Sequence, residues 1–163
     1  MDKHDTTPLK NLNLLNPWHL IAVGFGSGLI PKAPGTFGSL AAIPLCVALI
    51  FVPLYLQLII VLAVFILGTI ASSKTEKAMG MHDNSSIVID EFAGMFISVI
   101  AFPKEWYLCL LAFVLFRIFD IIKPWPISLA DRKIGGGLGV MVDDVLAGIA
   151  SLACAHIFFY FFL

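Results

Sequence analysis

Apolar residues lie along this chain in long blocks separated by short polar breaks. Trp18 to Ile30 is apolar but carries Gly24, Gly26 and Gly28, and it is too short to span a bilayer comfortably. A turn-rich stretch, PKAPGTFGS (31–39), leads into a run from Leu40 to Val52 that Pro53 breaks. Leu54 to Ala71 has the length of a membrane-crossing helix. A polar loop is predicted over 72–86. The block from Ile87 to Phe102 holds Asp90 and Glu91 near its start, so its uninterrupted part, 92–102, is short or half-embedded. Tyr107 to Ile122 is apolar except for Arg117 and Asp120. After a polar, glycine-rich segment over 123–144, the last run extends from Val145 to Leu163, about one bilayer crossing at 1.5 Å per residue.

This pattern predicts an all-α protein, a small multihelical integral membrane bundle with four or five membrane-associated helices. Residues 1–16 form a polar N-terminal tail without the apolar core of a signal peptide, and 17–163 form the membrane domain. Composition agrees: 60% of residues are hydrophobic and 13% charged, against about 25% charged in an ordinary soluble domain. The formal net charge of -1 gives no reason to expect a nucleic-acid partner. Cys46, Cys109 and Cys154 sit inside apolar runs without metal-ligand spacing and read as small buried hydrophobes.

If each run crosses, the loops 31–39, 72–90 and 123–144 share one side with the N-terminal tail. Lys3, Lys10, Lys32, Lys74, Lys77, Lys123, Arg132 and Lys133 fall there, with Arg117 nearby, and only Lys104 falls opposite. The positive-inside rule makes that side cytoplasmic. Ten of the eleven acids map to the same side, Glu105 being the exception. Acids contribute little to orientation, so their bias points to a polar site at the cytoplasmic face.

Two segments echo one another there. IVIDEFAG (87–94) and VMVDDVLAG (140–148) each place an acidic pair after three apolar residues, matching Asp90 with Asp143 and Glu91 with Asp144. Helix capping would explain one such pair, because acids at a helix start interact favourably with the macrodipole. Two pairs at membrane depth suggest a cation instead, since gathered carboxylates repel unless one is present. Oxygen ligands without a His or Cys cluster favour Mg²⁺ or a similar hard ion. Asp90, Glu91, Asp143 and Asp144 are thus the candidate metal ligands, and one acid of each pair could instead cap its helix.

Three further groups surround these acids. In FRIFDIIKPWP (116–126), Arg117 and Asp120 share a helix face and Lys123 follows. Arg117 and Lys123 could hold an anion, and Asp120 could be a base, nucleophile or ligand; the bland alternative is an internal Arg–Asp pair. PGTFGSL (34–40) offers backbone N–H groups near Gly35 and hydroxyls at Thr36 and Ser39 for a phosphate, or is a capped turn. His82 and Asp83 lie in a predicted loop, solvated or in a supporting catalytic role. Together these point to chemistry on a phosphorylated lipid headgroup.

With these motifs in order, NPWHLIAVGFGSGLIPKAPGTFGSLAAIP, IVIDEFAGM, FRIFDIIKPWPI and GLGVMVDDVLAG, the chain resembles the bacterial phosphatidylglycerophosphatase A family from Asn16 onward. The resemblance implies a Mg²⁺-dependent, multi-pass enzyme of the bacterial inner membrane with its active site facing the cytoplasm. Such an enzyme hydrolyses the terminal phosphate of phosphatidylglycerophosphate to phosphatidylglycerol and inorganic phosphate, with membrane lipid as its surroundings. On that expectation Asp90 and Asp143 are the first-choice ligands, with Glu91 and Asp144 next. Arg117 and Lys123 bind phosphate, helped by Gly35 and Thr36. Attack by a metal-activated water is favoured, with Asp120 as base or further ligand; a phospho-aspartyl intermediate at Asp120 is the competitor. The rival activities are another lipid-headgroup phosphatase, a CDP-alcohol-type phosphotransferase, whose DGxxAR signature is missing, and a small ion transporter, which the one-sided acids disfavour.

Overall fold

A computed structural model describes residues 11–82 and 84–162. Seven α-helices account for most of it: α1 (Pro17–Ala22), α2 (Pro34–Leu49), α3 (Leu54–Met79), α4 (Ile89–Ser98), α5 (Leu108–Ile122), α6 (Ile127–Lys133) and α7 (Gly136–Phe162). A 3-10 segment, Gly24–Leu29, follows α1. No strand occurs among the described residues, so the all-α expectation holds. Two helices, α3 and α7, are long and apolar enough to cross a membrane. They are not the buried core helices of a soluble protein: Leu58, Ile59, Leu62 and Ile66 of α3, and Ile149, Ile157 and Phe161 of α7, are all exposed. The ten residues of α4 extend only about 15 Å, which agrees with the short block seen in the sequence.

Three helix starts or ends differ from the sequence expectation, and each difference moves a polar residue. The PGTFGS segment is no turn but the opening of α2, with Pro34 at its first position, where the missing N–H and fixed φ suit a helix start. The polar stretch after Ala71 stays helical to Met79, because Ser72, Thr75 and Glu76 turn inward and are buried. Gly80, at φ 67°, then stops the helix, donating its N–H to the Glu76 carbonyl at 2.9 Å. The glycine-rich segment contains α6 and the start of α7, which begins at Gly136, well before Val145. Glycine is a poor helix former alone, but here it lets α7 lie against α3. A Cβ on Gly137 would fall 2.5 Å from the Thr69 carbonyl.

The centre of the bundle is the crossing of α4 and α7. A Cβ on Gly148 would lie 2.5 Å from the Gly94 carbonyl oxygen, so the two backbones touch. The helices run in the same direction, since Ile100 beyond α4 accepts from the His156 ring at 3.0 Å further along α7. This contact corrects the alignment of the two acidic echoes. The glycines that pack together place Asp90 and Asp144 each four residues before its glycine, so Asp90 matches Asp144, one position off the sequence pairing. Phe116 of α5 fills the space beside them, fully buried and against Gly94.

Candidate active site

The bundle's site lies where α2, α4 and α7 begin and α3 and α5 end. Pro34 and Gly35, His82, residues between Asn84 and Glu91, Asp120 and Lys123, and the end of α6 with the start of α7 line one cavity of about 690 Å³. The three loops assigned to one side from the apolar pattern therefore do meet.

On the floor of the cavity, Asp120, Asp143 and Asp144 each offer a carboxylate oxygen, and these oxygens lie within 4.8 Å of one another. Asp90 lines the same space. Asp90 Oδ1, Asp143 Oδ1 and Asp144 Oδ2 are buried without a hydrogen-bond partner. A buried carboxylate oxygen left unpaired is costly, and three around one space form a donor set that fits a hard divalent cation. The capping alternative fails for Asp143 and Asp144. They lie about two turns inside α7, where N–H groups are already used in the helix. It survives for Asp90 and Glu91, which sit in the first turn of α4.

Glu91 has different company. Arg117 Nη1 donates to Glu91 Oε1 at 2.9 Å and Oε2 at 2.8 Å, and Ser39 Oγ donates to Oε2 at 2.6 Å. The same Arg117 nitrogen donates to Asp120 Oδ2 at 2.6 Å, and its Nη2 reaches Thr36 Oγ1 at 3.5 Å. Arg117 thus ties α2, α4 and α5 together behind the floor acids. A Cβ on Gly35 would collide with Glu91 Oε1, which makes a side chain there incompatible with the pair. Ser39 is fully buried, and the Gly35 carbonyl, 2.8 Å from its hydroxyl oxygen, is the alternative acceptor for the same single proton. Gly35 borders the cavity at the uncapped start of α2.

Lys123 ends α5 in a left-handed conformation, φ 45°. Its ammonium donates to Asp131 Oδ1 and to Asp143 Oδ2, both at 2.6 Å. Burial pulls its pKa down, but the bonds and charges of Asp131 and Asp143 outweigh that and hold it above the usual lysine value. His82 lies on the cavity wall, its Nδ1 2.8 Å from Glu76 Oε1. Asp83 lies outside the described residues.

Sequence reasoning named the floor acids, Arg117 and Lys123, but it did not foresee that Arg117 binds Glu91, 26 positions away. It also used Asp131, Arg132 and Lys133 only for topology, although all three line the cavity. Their signal was available: a charged triplet directly before the glycines that return the chain to Asp143.

The profile of the phosphatidylglycerophosphatase A family matches residues 20–159. The chain belongs to the phosphatidylglycerophosphatase A family. It is 47% identical over 152 residues to the Escherichia coli K12 protein named phosphatidylglycerophosphatase A, covering 93% of this chain and 88% of that protein. It is 48% identical over 161 residues to the Haemophilus influenzae protein of the same name, covering 98% and 99%. A Bacteroides thetaiotaomicron relative, 42% identical over 141 residues (81% and 87% covered), carries the provisional name phosphatidylinositol-3-phosphatase. No solved structure matches.

Proposed function

We propose that this protein hydrolyses the terminal phosphate monoester of phosphatidylglycerophosphate, giving phosphatidylglycerol and inorganic phosphate. The observation that carries the reading is the trio Asp120, Asp143 and Asp144 gathered in one cavity, with Asp143, Asp144 and the adjacent Asp90 each keeping a buried oxygen without a partner, in a chain of this family. These three, with Asp90, would hold Mg²⁺. Bound there, the ion would offset phosphate charge and lower the pKa of a water. Lys123 neutralises Asp143 and presents positive charge to the incoming monoester. Asp120, whose Oδ2 Arg117 holds, is the alternative member of this set: in this reading it is a further ligand, or else the base that takes a proton from the attacking water. Glu91, with both oxygens engaged, positions Arg117 in this reading rather than binding the ion. Gly35 and Thr36 offer N–H groups at the α2 start to the phosphate oxygens.

We place the site at the cytoplasmic face of the bacterial inner membrane, since the basic residues gather at this end of the bundle. In this reading α2 and α5 also associate with lipid around a buried α4, giving a multi-pass bundle. Apolar side chains on α2 and α5, such as Leu45, Val114 and Ile118, are exposed as lipid contact requires.

The test is phosphate release from short-chain phosphatidylglycerophosphate in detergent micelles. Release that chelator abolishes and Mg²⁺ restores supports the reading. Unchanged release in chelator removes the metal from it. Release of CMP from a CDP-lipid, without phosphate release, would establish the phosphotransferase instead. Borohydride trapping of an acyl phosphate on Asp120 would overturn direct attack by water.

A further inference from the structure

The substrate proposed above carries two phosphates: the terminal monoester, and the diester that joins glycerol to the lipid. The floor acids and Lys123 account for the first. We propose that Arg132 and Lys133, at the end of α6, bind the diester and so make the enzyme select a headgroup with a second anion one glycerol away. The inference rests on the phosphatidylglycerophosphate reading and deepens it.

The placement follows from Lys123. Its ammonium bonds Asp143 on the floor and Asp131 on α6, both at 2.6 Å. One side chain thus links the floor to the residue immediately before Arg132. Arg132 and Lys133 line the same cavity as the floor acids and are exposed. Among the described residues neither is held in an ion pair, whereas Arg117 and Lys123 each hold two acids. The committed cations are partly buried and the uncommitted ones exposed, so Arg132 and Lys133 lie towards the mouth. A lipid headgroup entering with its monoester on the floor leaves its diester towards the mouth. Arginine is suited to a diester's two unbridged oxygens, which it can take with two parallel N–H donors.

Two blander readings compete. Cations in the last turn of a helix complement its dipole, and basic residues collect on the cytoplasmic side. Neither predicts any dependence on the charge of the substrate's internal phosphate.

The experiment uses two short-chain lipids, phosphatidylglycerophosphate and the same molecule with its diester methylated to a neutral triester. Phosphate release is measured for the full chain and for R132A, K133A and the double variant, with helical content checked by circular dichroism. The wild type is expected to favour the anionic diester in kcat/KM by about tenfold or more. The double variant is expected to lose that preference through KM, while its rate on the triester stays at the wild-type value. R132K is expected to retain part of the preference, and the wild-type KM for the diester to rise with salt. A variant that loses rate equally on both lipids overturns the inference, as does a wild type indifferent to methylation. No release from either lipid by the wild type overturns the parent reading, and this one with it.

Discussion

The acidic pair of α4 and the acidic pair of α7 look alike in the chain and do different work in the fold. Asp143 and Asp144 lie inside α7, past the reach of the helix start, and each leaves a buried oxygen facing the cavity without a partner. Asp90 behaves like them. Glu91 does not: it is 7% exposed and its oxygens are saturated by Arg117 and Ser39. The reason is register. Asp90 and Asp144 each stand one turn before the touching glycines, Gly94 and Gly148, so both face the shared space. Glu91, one residue on, is rotated by about 100° towards α2 and α5, where Arg117 waits. The difference lies in what is left over: Glu91 has both oxygens engaged, whereas Asp90, Asp143 and Asp144 each keep one oxygen free for a ligand, Asp143 even with Lys123 on its other oxygen.

This contrast predicts effects of opposite sign on stability. Arg117→Met strands Glu91 and Asp120 as buried charges, and breaking such a pair costs about 3–5 kcal/mol. Chemical denaturation in detergent should show that loss, and Arg117→Met/Glu91→Gln should recover part of it. If the double variant is no better than the single, Glu91 is not the partner that matters. Asp144→Asn should do the reverse. In chelator it removes a repelled, unpaired carboxylate, so its unfolding midpoint should rise. Its phosphate release should nevertheless fall at least ~10²-fold, more than the loss of a group that only orients a ligand. Asp143→Asn should fall similarly, although it also releases Lys123. Asp144→Asn with near-normal, Mg²⁺-dependent activity would remove Asp144 from the ion site.

Much of this contrast is present in the sequence, but not its resolution. Four acids at one end of an apolar bundle could be found by counting charges and runs. The all-α class followed from the length of those runs. Which acid would meet Arg117 could not, because it depends on how α4 is rotated about its axis, and that is fixed by glycine contacts between segments more than fifty residues apart. The start of α7 was also hidden: GGGLG reads as a loop by propensity, and only its close contact with Thr69 and Ser73 makes it helix. Ser39 offers a hydroxyl in a glycine-rich stretch, which by sequence suits a phosphate. The fold buries that hydroxyl against Glu91, away from the cavity lining.

The glycine contact itself is the next test. Gly148→Ala puts a methyl against the Gly94 backbone, which cannot swing aside as a side chain could. Overpacking of this kind costs about 1–3 kcal/mol, and here it also separates Asp90 from Asp144. Stability and Mg²⁺ affinity should therefore decline together, the latter read as a higher Mg²⁺ concentration for half-maximal release. A loss of stability with Mg²⁺ dependence unchanged would mean that the crossing supports the fold without setting the distance between the acids.

The smallest effect separates two roles for Thr36. Its hydroxyl lies 3.5 Å from Arg117 Nη2, the limit of a hydrogen bond, while Ser39 holds the same cluster at 2.6 Å. As a support for Arg117, Thr36 contributes little, and Thr36→Val should alter stability by no more than about 0.5 kcal/mol. Ser39→Ala, which strips a buried donor from Glu91, should cost about 1–3 kcal/mol. Activity gives the sharper reading. The backbone N–H of Thr36 survives the change to valine, so if the α2 start holds phosphate through its main chain, KM and kcat should both stay within about twofold. A tenfold rise in KM at unchanged stability would instead show that the hydroxyl itself touches the substrate, and the PGTFGS motif would then bind phosphate by side chain as well as by backbone.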